Sequence, residues 1–191
     1  GQPGASHLHM FWGNTLADGN STYDSLLNTG ASTCGRAELN RTAYWAPAMV
    51  DGATDRVIPA DQITVYYSGG KNRTEDVEEF PEGLRMIADQ VGPAGDANTW
   101  SCGPFGSARD DGTGNNSDYQ PTIPDCDPAT YSHVHFNLNF PRCWDGVNLD
   151  STDHRSHMRY FQGDILNGTC PASHPVEVPQ VKYRLLYRTD S

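Results

Sequence analysis

The chain has 191 residues and a net charge of −11, from 24 Asp and Glu against 13 Lys and Arg. That length suits one domain, residues 1–191, with a real core, and the acidity argues against nucleic acid or anionic lipid as partners. Hydrophobic residues make up 36%, Gly and Pro number 19 and 13, and no apolar run approaches the roughly 18 residues of a membrane span, so short strands on long loops are expected and membrane insertion is not.

Residues 7–12 (HLHMFW) read as a strand with His7, His9 and Phe11 on one face. Residues 21–27 predict one or two helical turns, followed by Gly30. Residues 44–50 form a strand candidate interrupted by Pro47, and 63–68 (ITVYYS) a strand that stops at Gly69 and Gly70. Residues 84–88 and 99–102 predict short strands. From 92 to 128 the chain is dense in Gly, Pro, Asp, Asn and Ser and reads as a long loop. The clearest strand is 133–140 (HVHFNLNF). Val134, Phe136, Leu138 and Phe140 alternate with His133, His135, Asn137 and Asn139, giving a core face and a polar ladder that is solvated or lines a cleft. Residues 150–160 predict a second short helix capped by Ser151 or Asp153. Residues 181–187 (VKYRLLY) turn Val181, Tyr183, Leu185 and Tyr187 inward. The sum is all-β: a β-sandwich or jelly roll with long loops and one or two short helices.

The five cysteines, Cys34, Cys102, Cys126, Cys143 and Cys170, contain no C-x-x-C pair, which argues against a zinc ribbon or a thioredoxin-like motif. Scattered through an acidic, loop-rich chain, they read as disulfides of an oxidising compartment, with one thiol left over or paired between chains. Sequons at Asn20, Asn40, Asn72, Asn115 and Asn167 are glycosylation candidates in the same compartment. The chain opens at Gly1 without a charged, apolar leader, which fits a removed signal peptide or a domain cut from a longer protein. A secreted, extracellular address is expected.

Histidine carries the chemical signal. Six of the seven fall into close pairs: His7/His9, His133/His135 and His154/His157, with His174 apart. An H-x-H on a strand puts two imidazoles on one face about 6.5–7 Å apart. Residues 153–157 (DHRSH) put His154 and His157 on one side of a turn, with Asp150 and Asp153 near enough to ligate or to orient a ring. A site built from His7, His9, His154 and His157 would be chemically complete for a divalent metal such as zinc or copper. The same groups serve as general acid and base without a metal, since imidazole titrates near neutrality. Catalytic candidates are therefore His154, His157, Asp153 and His9, with His7, Arg155, Asp150, Trp12 and Trp144 as binding candidates. The competing readings are a buried hydrogen-bonding network or plain surface for His7/His9, a solvated face for His133/His135, a structural network with Arg155 for the DHRSH segment, and a structural His174. There is no G-x-S-x-G elbow and no phosphate-cradling loop.

The segments HLHMFWGN (7–14), STYDSL (21–26), TCGR (33–36), AYWAPAMVDG (43–52), FPEGLRMIAD (80–89), WSC (100–102), FPRCWDGVNLDSTDHRSHM (140–158) and CPASHPVEVPQVKYRLLY (170–187), in that order, resemble the domain of unknown function (DUF1996). Its members are secreted proteins of fungi and actinobacteria, sometimes fused to carbohydrate-binding modules. The resemblance implies an extracellular address and an association with glycans. It singles out His7, His9, Asp145, Asp150, Asp153, His154, Arg155, His157 and His174. It also implies two disulfides, Cys102–Cys126 and Cys143–Cys170, leaving Cys34 over.

Three functions compete. The first is a glycan-associated domain acting on an extracellular or cell-wall polysaccharide, as a hydrolase or lyase, through its His/Asp cluster. The second is a structural subunit of an extracellular assembly, such as a fibril, cell-wall layer or virion surface, reached by self-association. The third is a non-catalytic carbohydrate-binding module gripping sugar with its tryptophans.

Overall fold

A computed structural model describes residues 7–35, 40–69, 77–88, 98–103, 121–163 and 168–189. Among the described residues the chain is all-β with one short helix. It divides into two compact units, Gly1–Pro59 and Ala60–Ser191.

In the first unit, β1 (His9–Gly13) pairs antiparallel with β2 (Ala43–Pro47). Phe11 lies opposite Trp45 and His9 opposite Pro47, so Pro47 ends the strand rather than interrupting it. Gly13 sits at φ +87°, where an added Cβ would come within 2.0 Å of the Thr42 carbonyl oxygen. The expected helix is α1 (Tyr23–Asn28). Thr22 caps it, with reciprocal bonds between Thr22 and Ser25 that satisfy amide groups the first turn leaves open. At its other end the buried Asn14 amide donates to the carbonyls of Leu26 and Thr29 at 2.9 and 2.8 Å. A small hairpin, β3 (Met49–Val50) with β4 (Val57–Ile58), completes the unit.

The second unit is built on a four-stranded antiparallel sheet. In spatial order it holds β5 (Gln62–Ser68), β11 (Gln180–Arg188), β7 (His133–Asn139) and β6 (Thr99–Gly103). Leu185, Leu186, Tyr187, Leu138 and Phe140 are buried, and Trp100 stacks on Phe136 at 4.2 Å. A second sheet orders β10 (Val176–Glu177), β8 (Cys143–Trp144) and β9 (Met158–Arg159). Two disulfides, Cys102–Cys126 and Cys143–Cys170, tie loops to these strands, and Cys34 is free. The pairing is the one the resemblance implies.

Three local expectations change. The polar ladder of β7 is buried, not solvated: His133, His135, Asn137 and Asn139 are all less than one-tenth exposed. Partners distant in sequence account for this, since His133 meets Asp61, just before β5, and Asn137 accepts a bond from the buried Arg184 of β11. On β11 residues of both faces are buried, Arg184 and Leu186 as well as Val181, Tyr183, Leu185 and Tyr187. Residues 84–88 are not a strand; the Arg85 amide bonds instead to the Leu149 carbonyl at 3.0 Å.

Candidate active site

The loop 145–157 joins β8 to β9, and the predicted helix over 150–160 does not form there. Its aspartates explain why. Asp145 accepts the amides of Val147 and Asn148 at 2.9 and 2.8 Å, and the Asn148 side chain at 2.7 Å. Asp153 accepts the Ser151 hydroxyl at 2.7 Å and the amides of Arg155 and Ser156 at 3.0 and 2.8 Å. Short carboxylates that bind nearby amides offer the backbone turns in place of a helix. His154 then takes a left-handed conformation, φ +56°, which costs a non-glycine residue energy and interrupts any helix. Trp144 braces the loop by donating from Nε1 to the Asn148 carbonyl at 2.7 Å.

An open cleft of about 830 Å³ lies along this loop, lined by Asn148, Asp150, Ser151, Thr152, Asp153, His154 and Ser156. Asp150 and His154 form a dyad in it, Nδ1 to Oδ1 at 2.7 Å. A carboxylate only accepts, so Nδ1 carries the proton and Nε2 presents its lone pair. The His154 side chain is 55% exposed. Arg85 steadies Asp150 from outside the loop at 3.5 Å. Burial alone would raise the Asp150 carboxyl, but bonds from His154 and the Ser151 amide, with the charges of His154 and Arg85, leave it below its ordinary value. Asp153 is held far below its ordinary value, first by the Ser156 amide and then by the Ser151 hydroxyl.

The other expected residues have different places. His157 is 1% exposed, with Nε2 on the Arg85 carbonyl at 2.7 Å and Nδ1 on the Ser151 hydroxyl at 2.9 Å. Both ring nitrogens are taken up inside the protein, so His157 holds the loop and leaves no lone pair for a metal or a substrate. Asp153, bonded by three loop donors through one oxygen and very acidic, is a turn-forming anion rather than a proton donor. Arg155 turns back on its own loop, donating from its guanidinium to the Asp153 carbonyl at 2.9 Å. His174 is buried and donates from Nε2 to the Ser156 carbonyl at 2.9 Å, a structural role.

The chain matches, over residues 1–191, a family described as a domain of unknown function (DUF1996). The chain belongs to this family. No curated protein and no solved structure matches it. Of the nine polar residues the DUF1996 resemblance singles out, Asp145, Asp150, Asp153, His154, Arg155 and His157 sit on the cleft loop and His174 bonds to it.

His7 and His9 belong to the first unit. Their rings lie 4.5 Å apart, and His9 meets Trp45 edge-on at 4.9 Å. Burial, then the neighbouring His7, hold His9 below its ordinary value. Trp12 is half-buried on β1. Among the described residues, no three or more His, Cys, Asp or Glu side chains are grouped to hold a metal ion. Asn20 is exposed and Asn40 half-buried; Asn72, Asn115 and Asn167 lie outside the described residues. Arg85, which contacts both Asp150 and His157, is the site residue that sequence reasoning missed, and nothing in its segment marks it for this role.

Proposed function

We propose that this DUF1996 chain is a secreted, glycan-associated domain that acts on an extracellular or cell-wall polysaccharide as a hydrolase or lyase, with Asp150–His154 as its acid–base dyad. The observation that carries the reading is the 2.7 Å bond between Asp150 and a half-exposed imidazole in an open cleft. Asp150 fixes the tautomer and steadies the imidazolium that forms when Nε2 takes a proton from the attacking water or, in a lyase, from the ring carbon beside the carbon whose bond to the leaving oxygen breaks, where a double bond then forms. Nε2 then returns that proton to the leaving oxygen. The cleft lining supports a neutral polyol as ligand: it offers hydroxyls, an amide and carboxylates, and no Lys or Arg. The two disulfides fit an oxidising, extracellular environment.

The test is turnover of a polysaccharide panel, read as new reducing or unsaturated ends. Against the substrate found, His154→Ala should lower turnover by about 10²–10⁴ with the fold intact, and Asp150→Asn should follow it. A wild-type chain that turns over no polysaccharide, or a His154→Ala variant of undiminished activity, defeats the reading.

A second reading, a non-catalytic carbohydrate-binding module, draws on the β1–β2 ribbon. His7, His9, Phe11 and Trp45 cluster there, and Phe11 is 55% exposed. Aromatic faces of this kind stack on sugar rings. Glycan-array binding retained in full by His154→Ala, with no turnover by the wild type, would favour it.

A further inference from the structure

A separate set of side chains meets at one end of the four-stranded sheet. Asp61 directly precedes β5, and its amide bonds to the Leu186 carbonyl of β11 at 2.8 Å. Ser132 directly precedes β7, and its carbonyl accepts the Thr189 amide beyond β11 at 3.2 Å. Strand pairing therefore brings Asp61 and Ser132 to the same sheet end, with His133 opposite Arg188 in register.

The side chains join in one hydrogen-bonded chain. His133 Nε2 lies 3.2 Å from Asp61 Oδ2, and Nδ1 lies 2.8 Å from Ser132 Oγ. The carboxylate can only accept, so Nε2 carries the ring proton. Nδ1 then presents a lone pair, and the Ser132 hydroxyl is the donor to it. Arg188 places its guanidinium 3.9 Å from the same Asp61 oxygen. His133 is 6% exposed, the Asp61 side chain 33%, and Ser132 is exposed. A base is thus screened from water, oriented by a carboxylate, and bonded to a hydroxyl that reaches solvent. That is the order of nucleophile, base and orienting acid that acyl transfer uses.

We infer that Ser132, with His133 as base and Asp61 as its orienting carboxylate, forms an esterolytic site for neutral carboxylic esters, an activity beyond the polysaccharide reading and independent of it. The net charge of −11 disfavours anionic esters. Ser132 Oγ attacks the ester carbonyl carbon while its proton passes to His133 Nδ1. The C–O bond to the alcohol breaks, and the leaving oxygen takes that proton. Water then attacks the acyl-serine, giving its proton to Nδ1, and the carboxylic acid departs as Ser132 recovers its hydrogen. The sum is ester plus water to acid plus alcohol.

The experiment treats the full chain with a fluorophosphonate, with a known serine hydrolase as control, and maps the adduct by peptide mass spectrometry. Hydrolysis of p-nitrophenyl acetate is followed in parallel. The expected result is a single phosphonylated Ser132, with label and hydrolysis both lost in Ser132→Ala, whose fold is checked by circular dichroism because the change also takes the donor from His133 Nδ1. Asp61→Asn keeps an acceptor for Nε2 but removes the charge, and should slow labelling at least about tenfold. An unlabelled chain beside a labelled control overturns the inference. So does labelling at the same rate in Asp61→Asn or in urea-unfolded chain, because a merely exposed serine needs neither partner.

Discussion

The main-chain carbonyl of Arg85 accepts a 2.7 Å hydrogen bond from Nε2 of His157. The Arg85 amide donates to Leu149 and its guanidinium reaches Asp150, so one residue grips the cleft loop at three points. His157→Ala removes the buried half of that grip, leaves the Arg85 carbonyl without its donor and opens a cavity. A loss of about 2–4 kcal/mol is expected in urea unfolding. Activity at the cleft should fall too, because Asp150 and His154 ride on the same loop. A His157→Ala chain of wild-type stability would show that the loop is held by other means.

His154 sits at φ +56°, a conformation that glycine adopts freely and other residues do not. Ala and Gly at this position both lack the imidazole and its bond to Asp150, so their difference isolates the backbone. His154→Gly should be more stable than His154→Ala by about 1 kcal/mol, and both should be inactive on polysaccharide. Differential scanning calorimetry of the pair decides it: equal midpoints mean that the left-handed turn is not strained.

Much of this fold is legible along the chain, where the forces are local. Helix α1 falls on the turns expected over residues 21–27, and β7 on its strict alternation. The burial of the β7 polar face is not legible, because Asp61 and Arg184 arrive from positions far away in sequence. Residues 150–160 carry helix-like spacing, yet the bonds of Asp150 and Asp153 to neighbouring amides close turns there and His154 takes a left-handed conformation, so no helix continues. At the site, the spacing brings Asp150 and Asp153 close to His154 but does not say which of them bonds the ring; the aspartate expected to be catalytic is Asp153, and Asp150 makes the bond. Which histidine faces solvent does not follow from spacing, since the partner that engages His157 is a backbone carbonyl 72 residues earlier.

Acid should loosen the cleft loop only as pH falls into and below the range of ordinary carboxyl groups. Asp153 is held below its ordinary 3.8 chiefly by the Ser156 amide. Asp145 and Asp150 are also lowered, bonds and charges outweighing the effect of burial. Depressed folded-state values mean that the folded chain holds these protons less tightly than the unfolded chain. Their contribution is therefore complete above the unfolded value and disappears as pH falls through the folded ones. Urea midpoints should be flat above about pH 5 and decline below about pH 4. Asp153→Asn should flatten that decline, and an unchanged slope would mean that Asp153 is not coupled to folding.

Arg142 and Glu177 form an ion pair in which the residues are 1% and 8% exposed, with the guanidinium 4.1 Å above the Phe161 ring. The pair sits where β8 meets β10, since Glu177 lies opposite Cys143 of the Cys143–Cys170 disulfide. Taking two charges out of water is costly, so the pair need not stabilise the fold relative to apolar residues of the same shape. Breaking it is another matter. Glu177→Gln removes the counter-charge of a buried guanidinium and should cost about 3–5 kcal/mol. The double variant Arg142→Met with Glu177→Leu removes both charges and should be less damaging than the sum of its single changes. Urea unfolding of the two single variants and the double measures that coupling directly. Strict additivity would show that the two charges act separately, and that apolar packing and the disulfide hold this corner of the sheet.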